Sequence, residues 1–166
     1  PEEFHRERSG RSPITVCWNT NNIYRSRCRW NIKICFKHKR NIPLNSVWNA
    51  YVALSVHPIV CLLNNDIRIP SNFLQDIANI FERERTVGAI MHPTNSPTYS
   101  RTLPDTTYDM MERGKYRQGW DICIRKEAWT PIPSNLNIYC GDDFIFEKMY
   151  ENGWDSVMAV SSPIIH

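Results

Sequence analysis

Apolar positions fall in short blocks whose period changes along the chain. ITVCW (Ile14 to Trp18), PIVCLL (Pro58 to Leu63), TVGAIM (Thr86 to Met91) and WDICIR (Trp120 to Arg125) are strand-length runs, several of them rich in β-branched residues. IKICF (Ile32 to Phe36) alternates apolar and polar and stops at the basic segment Lys37-His38-Lys39-Arg40. Between the strands the period lengthens. NSVWNAYVALS sets Val47, Ala50, Tyr51 and Leu54 on one helical face. NFLQDIANIFERE spaces Phe73, Leu74, Ile77, Ile80 and Phe81 for an amphipathic helix, with Ser71 or Asn72 available as its cap. DDFIFEKMYENG is a third helix, opened by Asp142 and stopped by Gly153. VMAV and PIIH are short extended segments.

Polar stretches set the limits of this pattern. The first twelve residues are charged and aperiodic, so residues 1–12 are expected as a mobile arm and residues 13–166 as one domain. From His92 to Tyr116 there are three prolines and many hydroxyls, which predicts a long surface loop with at most a short helix. Strands alternating with helices predict an α/β domain: a mainly parallel central sheet with helices on both faces. PIVCLL has no polar break, as a central strand covered on both sides requires. In such sheets ligands collect at the carboxyl ends of the strands.

Composition narrows the classes. A chain of 166 residues, 42% hydrophobic, suits a single core. Its net charge of +3, from 20 basic and 17 acidic residues, is far from that of a dedicated nucleic-acid binder, though it suits a phosphate-bearing substrate. Six cysteines without any CxxC pair read as buried, reduced thiols of an intracellular, cytoplasmic protein. No apolar run reaches membrane-spanning length, and the polar start is unlike a signal peptide.

Two acidic clusters carry candidate chemistry. Asn64-Asn65-Asp66 follows PIVCLL directly, so Asp66 is expected at a strand end, where a carboxylate can hold a hard divalent cation that bridges phosphate oxygens. The same tripeptide also suits a plain turn. Gly141-Asp142-Asp143 stands at a helix start, where the dipole favours negative charge and a carboxylate can act as a general base. An N-cap with a neighbouring charge is the alternative there.

From Asn31 to Gly153 the order SVWNAYVAL, PIVCLLNNDIRIP, TVGAIMHP, GWDICIRKEAW and GDDFIFEKMYENGW resembles the family 2 glycosyltransferases. The resemblance implies the GT-A fold, a Rossmann-like nucleotide-diphospho-sugar transferase fold, and metal-dependent, inverting transfer of a sugar from a UDP-, GDP- or dTDP-sugar to a glycan or protein hydroxyl. It makes LNND the counterpart of the DxD-type motif, with Asp66, Asn64 and the terminal His166 as ligands of Mn2+ or Mg2+. Asp143, or its neighbour Asp142, becomes the catalytic base. Asn19, Asn49 and Asn65 fall on the donor side, and Trp120, Asp121 and Gly141 on the acceptor or sugar side. His92 and His57 are expected as structural residues. ITVCWNTNN aligns with the family's second strand rather than its first, so the opening strand and helix are expected to be missing or reduced to the polar arm. Two other readings remain: a carbohydrate- or nucleotide-sugar-binding module without turnover, and a polymerase palm, whose Gly-Asp-Asp lies in a turn between antiparallel strands.

Overall fold

The computed structural model describes residues 14–18, 43–64, 66–94, 105–114 and 118–166. The arm over 1–12, the run IKICF, and Asn19 and Asn65 lie outside the described residues. In chain order the elements are β1 (Ile14–Trp18), α1 (Leu44–Leu54), β2 (Ile59–Leu63), α2 (Phe73–Arg83), β3 (Val87–Met91), β4 (Asp109–Met110), β5 (Asp121–Arg125), a 3-10 turn (Lys126–Ala128), α3 (Gly141–Glu151) and β6 (Asp155–Met158).

The described strands form one sheet in the order β1-β2-β5-β3-β6-β4. β1 runs parallel to β2, and β3 parallel to β6. β5 is antiparallel to both β2 and β3, and β4 is antiparallel to β6. The sheet is therefore mixed rather than mainly parallel. β1, β2, β3 and β6 do share one direction, but β5 is wedged among them pointing the other way. Its Ile122, Cys123 and Ile124 are all buried, which earns it a central place; burial on both faces says nothing about direction.

Helices cover both faces. On one side α1 and α3 bring Trp48, Val52, Ile145, Phe146 and Met149 against Val60, Leu62, Ile122 and Ile124. On the other, α2 brings Phe73, Ile77, Ile80 and Phe81 against Ile59, Cys61, Leu63 and Cys123. Successive residues of β2 thus point to opposite layers, and its five positions are all buried. The face of α1 differs from expectation. Asn45, Trp48 and Val52 are its buried residues, while Ala50 and Leu54 are exposed. The indole of Trp48 removes more apolar area from water than Leu54 would, and that sets the rotation of the helix.

The segment after His92 also departs from a pure loop: Asp109–Met110 adds an edge strand against β6. α2 begins after Asn72, whose amide makes no cap hydrogen bond and instead donates to Asp76 and to the Ser161 carbonyl. Asp76 accepts Thr106 and Ser161 hydroxyls as well, so a buried carboxylate ties α2 to the segment leaving β6. Among the described residues no helix is long and apolar enough to cross a membrane. Cys61 and Cys123 are buried free thiols, facing each other across β2 and β5, whereas Cys140 is exposed. Burial, reinforced by Cys61, pushes the Cys123 thiol well above its ordinary pKa.

Candidate active site

The shared direction of β1, β2, β3 and β6 puts their carboxyl ends on one edge of the sheet. Because β5 is reversed, its beginning lies there too, with Leu63 opposite Asp121. Asn64 leaves β2 and donates its backbone N–H to the Trp120 carbonyl at 2.9 Å, so the tip of β2 and the approach to β5 are tied together. α3 immediately precedes β6, and a short turn through Gly153 (φ +86°) reverses the chain between them. The start of α3 is thereby returned to the same edge.

Asp66 and His166 meet here, with His166 Nε2 3.5 Å from Asp66 Oδ1. Their side chains are 68% and 32% exposed, which leaves both open to a solvent-borne ligand. His166 is carried in by the final segment, where Ile165 pairs with Arg68 and Ile164 with Thr94. Its imidazole stacks on Trp120, centroids 5.6 Å apart and planes 16° from parallel. Trp120 Nε1 is buried without a hydrogen-bond partner among the described residues.

One residue earlier, Gly119 faces the other acidic cluster. A Cβ there would stand 2.8 Å from Asp142 Oδ2. The Gly119-Trp120 bend therefore joins Asp66 and His166 on one side to Asp142 on the other. Gly141-Asp142-Asp143 forms the first turn of α3, not a turn between antiparallel strands, which removes the polymerase-palm reading. Cys140 caps the helix in the left-handed region at φ 59°.

Three expected site residues have other partners. Asp121 is fully buried; its carboxylate meets His92 Nδ1 at 2.5 Å and accepts from the Gln118 amide, so no sugar hydroxyl reaches it. Burial raises its carboxyl above the ordinary value, against the opposing pull of His92 and Gln118. Asn49, expected on the donor side, spends its amide on the backbone of Ile132, donating to the carbonyl and accepting from the N–H at 2.8 Å each. Gly141 is buried, and a Cβ on it would lie 2.2 Å from Asn45 Oδ1, so glycine is required there by packing rather than by a sugar. Asn45 in turn donates to the Leu136 carbonyl. Asn45 and Asn49, one helical turn apart on α1, thus pin the long connection that delivers α3. His92, expected as a structural residue, is buried with Nδ1 on Asp121, while its Nε2 has no hydrogen-bond partner among the described residues.

No family model matches the chain, and no curated protein matches it. A solved structure does. GalNAc-T7, crystallised with UDP, GalNAc and Mn2+, matches with a TM-score of 0.61 at 14% identity, over 81% of this chain and 32% of that one. The chain has that protein's GT-A-like fold. It spans about a third of GalNAc-T7's length.

Among the described residues no three His, Cys, Asp or Glu side chains converge. An oxygen and an imidazole nitrogen do stand 3.5 Å apart and open to solvent. That is a partial ligand set, of the kind used when a cation is held by one or two protein groups and completed by substrate phosphates and water.

Proposed function

We propose that this chain is a metal-dependent, inverting glycosyltransferase of the family 2 type, moving a sugar from a UDP-, GDP- or dTDP-sugar to a glycan or protein hydroxyl. The observation that carries the reading is the Gly119-Trp120 bend, which has the Asp66–His166 pair on one side and the Asp142 carboxylate on the other. An inverting displacement needs that division: a stabilised leaving group at one pole, a proton acceptor at the other. The shared fold with GalNAc-T7 supports it.

Asp66, His166 and Asn64 would hold Mn2+ or Mg2+, whose charge offsets the negative charge growing on the departing diphosphate. Trp120 backs the His166 ring and fixes its plane. On the first turn of α3, Asp143 takes the proton from the acceptor oxygen as that oxygen attacks the anomeric carbon, while Asp142 stands against Gly119. Asn19 and Asn65 are assigned to the donor side by the resemblance of the sequence.

The test is turnover with a panel of UDP-, GDP- and dTDP-sugars, Mn2+ and sugar acceptors, read by product NMR. Release of nucleoside diphosphate with an inverted anomeric centre is expected. Retention of configuration would overturn the mechanism, and Mn2+-dependent binding without turnover on any donor would make the chain a binding module.

A further inference from the structure

The orientation of Trp120 poses a physical question. Its indole N–H has no acceptor among the described residues, so no hydrogen bond seen there sets its direction, yet the ring lies nearly parallel to His166. The direction comes from the apolar core on the α2 side, against which the ring packs, and from the backbone that carries it. That backbone is closed from below by Gln118, whose amide nitrogen donates to the Asp121 carboxylate, to the Asp121 carbonyl at 3.2 Å and to the His92 carbonyl at 3.3 Å. Gln118 and Asp121 bracket Gly119 and Trp120, so these bonds fix the bend at both ends. The carboxylate they share is anchored by His92 Nδ1 at 2.5 Å, and the His92 ring packs on Phe73 at 4.4 Å.

All three polar side chains are buried. Burying an imidazole and a carboxylate together is no gain over an apolar pair of similar volume, so stability alone does not account for them. What they supply is direction: hydrogen bonds of fixed geometry between the end of β3 and the entry to β5.

We infer that Gln118, Asp121 and His92 form a buried clamp that positions the Trp120–His166 stack, making Gln118 and His92 positioning residues for the cation- and donor-binding edge. The assignment of that edge rests on the proposed function, whereas the clamp itself is tested without any donor.

The measurement is the His166 imidazole C–H resonances of the full chain, assigned by loss in His166→Gln. In the native protein the stacked indole is expected to shift them upfield. Gln118→Met, which keeps length and loses the donors, and His92→Phe, which keeps the contact with Phe73, are expected to retain native circular dichroism while the upfield shift collapses. His92→Gln, which can still donate to Asp121, is expected to keep much of it. Mn2+-dependent UDP binding should weaken about 10- to 100-fold in the first two variants, as for other groups that orient metal ligands. An unmoved His166 shift in a folded Gln118→Met or His92→Phe protein would overturn the clamp. So would the absence of any upfield shift in the native protein, a result that needs no variant to fold. Intact shifts with no nucleotide binding by the native chain would count against the glycosyltransferase reading instead and leave the clamp standing.

Discussion

Asp142 and Asp143 are adjacent but differently placed by their neighbours. Asp142 lies against Gly119, so replacing that glycine moves a carboxylate before it moves the backbone. Gly119→Ala would put a Cβ 2.8 Å from Oδ2 and 3.3 Å from Cγ. A carboxylate end can swing away cheaply, so stability should change by no more than about 0.5 kcal/mol. Turnover should fall by up to about 10²-fold, the scale of an ångström-sized misplacement. Thermal unfolding beside kcat separates the two effects. Asp143→Asn keeps size and removes the proposed proton acceptor, so kcat should drop about 10²- to 10⁴-fold with donor affinity nearly unchanged. A severe Asp142→Asn beside a mild Asp143→Asn would transfer the role to the neighbour. The positions of Asp66 and the acidic pair were legible in the sequence because Asp66 follows the end of a patterned strand and the pair opens a patterned helix. Asn45, Gln118 and the role of Asp121 were not. Their meaning depends on partners far along the chain, 91 residues away for Asn45 and Leu136, and 29 for Asp121 and His92.

At the scale of elements, the described strands and helices follow the apolar blocks closely, since four or five consecutive buried positions leave little choice of period. Orientation was harder. Nothing in DICIR reveals that β5 runs against its neighbours, because antiparallel insertion depends on the connections on either side. The rotation of α1 turned on whether Trp48 or Leu54 would be buried, a competition decided only when the sheet is present. β4 contains two exposed residues and has no hydrophobic signature at all. In β3 the glycine marks a register shift against β6 between Val87 and Ala89. A Cβ on Gly88 would come within 2.8 Å of Trp154 Cβ, 2.9 Å of Ala128 Cβ and 3.0 Å of Met149 Cγ. Two of these neighbours are Cβ atoms fixed to backbone. Gly88→Ala should therefore cost roughly 1–3 kcal/mol by overpacking, read as a lower urea midpoint at unchanged slope.

For the whole molecule, the buried Asp121 links folding to pH. Its carboxyl is raised by burial more than His92 and Gln118 lower it, so the native state holds that proton more tightly than the unfolded chain. The contribution is complete below the ordinary carboxylate value of about 4 and declines as pH rises through the folded value. Urea midpoints taken upward from about pH 4 should show this decline. Asp121→Asn, which has no proton to exchange, should flatten it. The same edge of the sheet is where the functional account stands or falls. Calorimetry of UDP, GDP and dTDP binding, with and without Mn2+, in the native chain and in Asp66→Ala tests it most directly. At least one diphosphate should bind only with Mn2+, and Asp66→Ala should abolish this binding while the fold stays intact. Binding that ignores Mn2+, binding that survives Asp66→Ala unchanged, or no binding of any of the three would contradict it.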